Sequence, residues 1–153
     1  MAPVAHPWLS APWFEAEAGL ASDAAGAAGA AGAAGAVRAA GVVGRPVADG
    51  LTARLQFVVT GGPGGDVAYH RTFREGHLVA SAAGVLDDAE VTFTTPWADA
   101  VQIDQGALGP AVAFMRGTTK AEGDQSVVLA ALEATSGTDY VAFRRQVAAV
   151  TAY

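Results

Sequence analysis

The run Leu51-Thr52-Ala53-Arg54-Leu55-Gln56-Phe57-Val58-Val59-Thr60 alternates apolar and polar side chains almost without a break. Leu51, Ala53, Leu55, Phe57 and Val59 fall on one face of an extended chain, and Thr52, Arg54, Gln56, Val58 and Thr60 fall on the other. A period of two marks a strand that buries one face only. The chain is therefore organised on a half-buried sheet.

On the C-terminal side, Gly61-Gly62-Pro63-Gly64-Gly65 is a loop that regular structure is not expected to cross. Val67, Tyr69 and Phe73 then resume the inward phase against Ala68, His70 and Thr72, and Glu75-Gly76 marks a tight turn. Leu78 and Ala80 are expected to face inward on the return strand. Glu90-Val91-Thr92-Phe93-Thr94 reads as a fourth strand with Val91 and Phe93 inward. Short connections predict a largely antiparallel sheet.

Past Thr95 the period becomes helical. Thr95 is the expected cap and Pro96 the first turn, and Trp97, Ala100 and Val101 share one face up to Gly106, which leaves Asp99 and Asp104 on the exposed side. Pro110 opens a short helix carrying Val112, Phe114 and Met115, and Gly117 ends it. Thr118 to Glu122 reads as a short fifth strand, with Thr119 and Ala121 pointing in. Asp124 caps a helix whose apolar face is Val128, Leu129 and Leu132, ended by Gly137. Thr138 caps the last helix, where the stripe Tyr140, Phe143, Val147 and Val150 opposes Arg144 and Arg145. That apolar stripe is expected to act as a lid. Strands first and helices after predict an α+β fold, a five-stranded sheet with helices packed on one face.

Upstream of the sheet, Trp8-Leu9-Ser10-Ala11-Pro12-Trp13-Phe14 reads as a helix start, with Ser10 as N-cap and Pro12 in the first turn. Its aromatic side chains give it a side to dock. Gly26, Gly29, Gly32 and Gly35, separated by alanine pairs, predict a flexible linker or frayed helix, because each helical glycine costs about 1 kcal/mol against alanine. The expected division is residues 1–20 as an N-terminal helix, 21–48 as linker, and 49–153 as the domain on which the helix packs.

The 153 residues suit one domain, and the net charge of −6 with only nine Lys and Arg argues against a nucleic-acid partner. The same balance argues against strong attachment to an anionic membrane and leaves room for transient membrane contact. The chain has no cysteine, which removes disulfides, thiolate metal sites and thiol nucleophiles. The alanine and glycine run lacks the large aliphatic residues of a spanning helix, and Glu15 and Glu17 interrupt the N-terminal region where a secretory leader would be apolar. These features predict a cytoplasmic protein. His6, His70 and His77 are too dispersed for a metal, Asp87, Asp88 and Glu90 read as a solvated loop, and no nucleophile elbow or phosphate cradle is present. No catalytic residue, metal or cofactor is expected.

Three segments carry a resemblance: Val91-Thr92-Phe93-Thr94 with Trp97-Ala98-Asp99-Ala100, then Ile103-Asp104-Gln105-Gly106-Ala107-Leu108, then Ala113-Phe114-Met115-Arg116-Gly117-Thr118-Thr119-Lys120-Ala121-Glu122-Gly123-Asp124. The last matches an A-F-M-x-G-x-x-K-x-x-G-D run, and together they resemble the sterol carrier protein family of lipid-binding domains. Thr119 and Ala121 are smaller than the aliphatic residues usual there, and Gly109 replaces an acidic residue. The resemblance implies an apolar tunnel between sheet and helices that accepts a sterol, fatty acid or fatty acyl-CoA without chemistry. It implies a lining drawn from Phe57, Val91, Phe93, Trp97, Val101, Phe114, Met115, Leu129, Leu132 and Phe143. Met115 leads that set, since a flexible thioether adapts to varied ligands. An interaction module with a closed pocket, and an enzyme acting on a hydrophobic CoA-linked or steroid substrate, are the alternative readings.

Overall fold

The computed structural model describes residues 5–23, 46–48 and 50–153. A short strand β1 (His6–Pro7) leads into helix α1 (Ala11–Asp23). Strands β2 (Ala53–Gly62), β3 (Gly65–Arg74), β4 (His77–Ala83) and β5 (Val91–Pro96) follow, then helices α2 (Trp97–Asp104) and α3 (Pro110–Met115). Strand β6 (Lys120–Gly123), helices α4 (Gln125–Thr135) and α5 (Thr138–Ala148), and strand β7 (Thr151–Ala152) complete the chain.

The alternating run becomes β2, the middle strand of a five-stranded sheet ordered β4-β3-β2-β5-β6. Its partners β3 and β5 run antiparallel and parallel to it. The outer pairs β3–β4 and β5–β6 are antiparallel, so the sheet is mostly antiparallel as its short connections predict. The parallel pair arises because β4 is the far edge, and the chain must return past β3 and β2 before entering β5. Gln56, on the outer face of β2, fastens that return. Its Nε2 donates to the carbonyls of Tyr69 (2.8 Å) and Gly84 (3.1 Å), and its Oε1 accepts from the Leu86 N–H at 2.7 Å.

Four local expectations are corrected. Pairing of Gly62 with Gly65 carries both strands into the glycine-rich stretch, leaving Pro63-Gly64 as the turn. A bulge between Thr72 and Phe73 shifts the register, so Ala80 lies opposite Thr72, and Ser81, opposite Arg71, takes the inward phase instead. Thr95 does not cap α2. It is a buried residue of β5 whose Oγ1 lies 2.9 Å from Thr119 Oγ1, and Pro96 occupies the cap position. Thr138 likewise is the first residue of α5, with Gly137 as its N-cap, and α4 has already ended at Thr135. The Glu75-Gly76 turn pairs Arg74 with His77, and Asp124 caps α4 by accepting from the backbones of Ser126 and Val127, as expected. Ser10 Oγ accepts from the Trp13 N–H at 3.3 Å at the start of α1.

The glycine repeat Gly26 to Gly35 lies outside the described residues. At the end of that stretch, Val47 and Ala48 are buried and donate their N–H groups to the Gly76 carbonyl. The core joins the inward face of the sheet (Leu55, Val59, Phe73, Val91) to Trp13 and Phe14 of α1, Val128 of α4 and Phe143 and Val147 of α5. The termini meet in a separate two-stranded parallel sheet of β1 and β7.

Gly123 closes the β5–β6 pair with φ +126, and a Cβ there would run into the Glu90 carbonyl oxygen. Gly123→Ala is expected to cost at least about 2 kcal/mol through backbone strain and the clash together. Urea unfolding of that variant checks this, and an unchanged midpoint would contradict it.

Candidate ligand-binding site

A cavity of about 70 Å³ lies between the sheet and its helices. Its walls come from the inward phase of β2 (Leu55, Phe57, Val59), β3 (Tyr69, Arg71) and β5 (Phe93, Thr95), and from Ala100, Ile103 and Asp104 of α2. Ala131, Leu132 and Thr135 of α4 and Tyr140 and Arg144 of α5 close it. The stacked rings of Phe57, Tyr69 and Phe93, with centroids 4.9 Å and 5.7 Å apart, form one apolar side.

The other side is charged and buried. Glu17, Arg71, Asp104 and Arg144 are each 4% exposed or less. Arg71 Nη2 donates to Glu17 Oε2 at 2.9 Å and lies 3.6 Å from Asp104 Oδ1. Arg144 donates from Nη1 to Asp104 Oδ1 at 2.9 Å and from Nη2 to Glu17 Oε2. Tyr153 Oη donates to Asp104 Oδ2 at 2.8 Å. Aromatic rings sit against both guanidiniums: Arg71 lies 5.3 Å and 5.1 Å from the ring centres of Phe57 and Tyr69, and Arg144 lies 4.7 Å from that of Phe143. Burial alone would raise the Glu17 carboxyl, but the Arg71 and Arg144 charges overcome it and hold the pKa at about 2. Burial also pushes the Tyr69 hydroxyl well up, so it remains a neutral phenol.

Of the ten expected lining residues, Phe57, Phe93 and Leu132 stand in the cavity wall. Val91 and Phe143 are buried in the core, and Trp97, Val101 and Phe114 pack against it, without facing the cavity. Met115 is 76% exposed and Leu129 57% exposed, both on the outer surface. The six-residue α3 has one turn to offer, and Ala113 and Phe114 take its inward side, so Met115 is rotated away. Leu129 is similarly displaced by Val128 and Leu132 on α4.

Asp104 and Arg144, expected on solvated faces, are buried; the sequence marks Glu17 only as a charge interrupting an apolar leader, and Arg71 carries no assignment. The signal was present in each case. Arg71 lies between Tyr69 and Phe73 on the inward phase of its strand. Glu17 is three and four residues after Phe14 and Trp13, Asp104 four after Ala100, and Arg144 four after Tyr140. All four occupy apolar positions of their elements. Among the described residues, no group of three His, Cys, Asp or Glu is placed to hold a metal, and no helix is long and apolar enough to cross a membrane.

The sequence model of the SCP-2 sterol transfer family matches residues 38–133. No curated protein matches the sequence. The fold is similar to the solution structure of a conserved hypothetical protein from Thermus thermophilus, with TM-score 0.64 and 18% identity over 95% of this chain and 94% of that one. It is also similar to a crystal structure of sterol carrier protein 2, with TM-score 0.57 and 19% identity over 88% of this chain and 97% of that one. The apo form of sterol carrier protein 2 from Yarrowia lipolytica aligns with TM-score 0.52 and 15% identity, over 85% and 99% of the two chains.

Glu17 has its pKa depressed on folding, from an ordinary 4.5 to about 2, so it adds stability above pH 4.5 that is lost as the pH falls toward 2. Glu17→Gln is expected to cost about 3–5 kcal/mol at neutral pH by breaking a buried ion pair, and to flatten the acid limb of stability. Urea titrations of both proteins from pH 7 down to 2.5 check this, and parallel pH curves would contradict it.

Proposed function

Since the chain belongs to the SCP-2 sterol transfer family, we propose that it binds one lipid-like molecule in the cavity between sheet and helices and carries it through the cytoplasm, performing no chemistry on it. The observation that supports this most is the position and make-up of the cavity. It opens among Leu55, Phe57, Val59, Phe93 and Leu132, in the layer between sheet and helices, where an apolar chain gains the full benefit of leaving water. Each buried CH₂ contributes about 0.8 kcal/mol, so a long acyl chain or sterol nucleus gains on the order of 10 kcal/mol. A bilayer offers a similar gain. A protein that matches the membrane, and does not greatly exceed it, loads and unloads lipid without an energy source.

The cavity as it stands is small. A space of about 70 Å³ is room for a few waters and far short of a whole lipid. A whole lipid therefore enters only as the walls part, and the tunnel belongs to the loaded state. Among the described residues, the Ala131, Leu132 and Thr135 side of α4 takes no part in the buried ion pairs that join α1, α2, α5 and β3. The fatty acid, fatty acyl-CoA and sterol classes share the apolar portion that this cavity accepts, and the head of an acyl-CoA would stay outside.

Leu132→Trp fills the cavity, whereas Met115→Trp adds a ring to an exposed site. The first variant is expected to weaken binding of a fluorescent fatty acid at least about tenfold, and the second to leave it unchanged, in fluorescence titrations with thermal melts as fold controls. Loss of binding in Met115→Trp with full binding in Leu132→Trp would place the ligand elsewhere.

A further inference from the structure

The ligand class can be narrowed by the charge inventory of the cavity wall. Arg71 and Arg144 bring two positive charges, and Glu17 and Asp104 bring two negative ones. Arg71 Nε and Arg144 Nε are buried without a hydrogen-bond partner, but both guanidinium charges already face two carboxylates, so a third anion would find no uncompensated positive charge. Glu17 Oε2 engages both, Asp104 Oδ1 engages Arg144 at 2.9 Å and lies 3.6 Å from Arg71, and aromatic rings sit against each guanidinium. A carboxylate entering here would set three acids against two bases in a place closed to water, with one charge left uncompensated. An uncharged head faces no such penalty.

A hydrogen-bonding position for such a head exists. Thr95 and Thr119 both line the cavity and are buried, with their hydroxyl oxygens 2.9 Å apart. In that pair one hydroxyl donates to the other, and the accepting hydroxyl keeps a proton of its own to give. Among the described residues nothing takes that proton. One donor and the remaining lone pairs suit a single alcohol or ketone oxygen.

Resting on the carrier reading above, we propose that the cavity selects amphiphiles with one uncharged oxygen head, an alcohol or ketone, over the carboxylate of the same chain, with that oxygen meeting the Thr95–Thr119 pair. Selection is against charge, because the two acids and two bases of the wall already sum to zero.

The test compares three probes of equal chain length, hexadecan-1-ol, hexadecanoate and hexadecane, delivered from cyclodextrin to the full chain at pH 7.4 and read by isothermal titration calorimetry. The alcohol is expected to bind at least about tenfold more tightly than the carboxylate. Asp104→Asn leaves a positive charge unmatched and is expected to narrow that gap by strengthening hexadecanoate binding. Thr119→Val is expected to weaken the alcohol while sparing hexadecane, and it carries the test should Asp104→Asn fail to fold. Equal or tighter binding of hexadecanoate to the unaltered protein would overturn the selectivity and leave the carrier reading standing. A preference for the alcohol that a folded Asp104→Asn or Thr119→Val leaves untouched would overturn it too. Binding of none of the three probes would remove the carrier reading, and this inference with it.

Discussion

Four buried charges hold this fold in its shape. Glu17, Arg71, Asp104 and Arg144 come from α1, β3, α2 and α5, and they meet in one cluster that water does not reach. Two acids and two bases sum to zero, and that is what lets the cluster exist in a dry interior. Removing any one member leaves a buried charge without a partner, which is far costlier than the whole cluster is stabilising. The cluster thus acts as a constraint: α1, α2, α5 and the sheet must arrive together, or the charges are stranded. The chain ends are fastened nearby. Trp13 Nε1 donates to Thr151 Oγ1 at 2.8 Å, Trp8 packs against Trp97 and Tyr153, and Tyr153 reaches Asp104.

The cavity is a consequence of that constraint. The cluster pins α1, α2 and α5 against the sheet. The Phe57, Tyr69 and Phe93 rings line the sheet side, and α4 closes the remaining flank through small side chains such as Ala131. Small residues at Ala100, Thr119 and Ala131 leave space that larger aliphatics would fill. The result is an interior space with one charged, internally neutral end and walls that are elsewhere largely apolar, with Thr95, Thr119 and Thr135 among them.

What the sequence discloses here follows the range of the interaction. Elements set by neighbours along the chain are legible: the period-two run of β2, the Glu75-Gly76 turn, the Ser10 and Asp124 caps, and the stripe of α5. Features set across the fold are not. The parallel β2–β5 pair depends on which edge the chain returns from, and the bulge at Thr72 that swaps Ala80 for Ser81 depends on cross-strand register. The family motif from Ala113 to Asp124 located the fold correctly, yet the chemical appeal of Met115 misjudged its direction, because a six-residue helix has room for one inward face only. The charged cluster was visible as position and hidden as chemistry. Each of its members sits where an apolar residue is expected, and a charge at such a site is ordinarily read as the solvated side of its element. Four such misfits with a net charge of zero are the pattern that would have revealed it.

The most direct measurement is native mass spectrometry of the purified full chain, with its organic extract analysed for lipids. One lipid-like molecule per chain, displaced when Leu132→Trp is introduced, is the result this account predicts. A clean unliganded mass, unchanged after incubation with fatty alcohols, fatty acids, acyl-CoA and sterols, would contradict it.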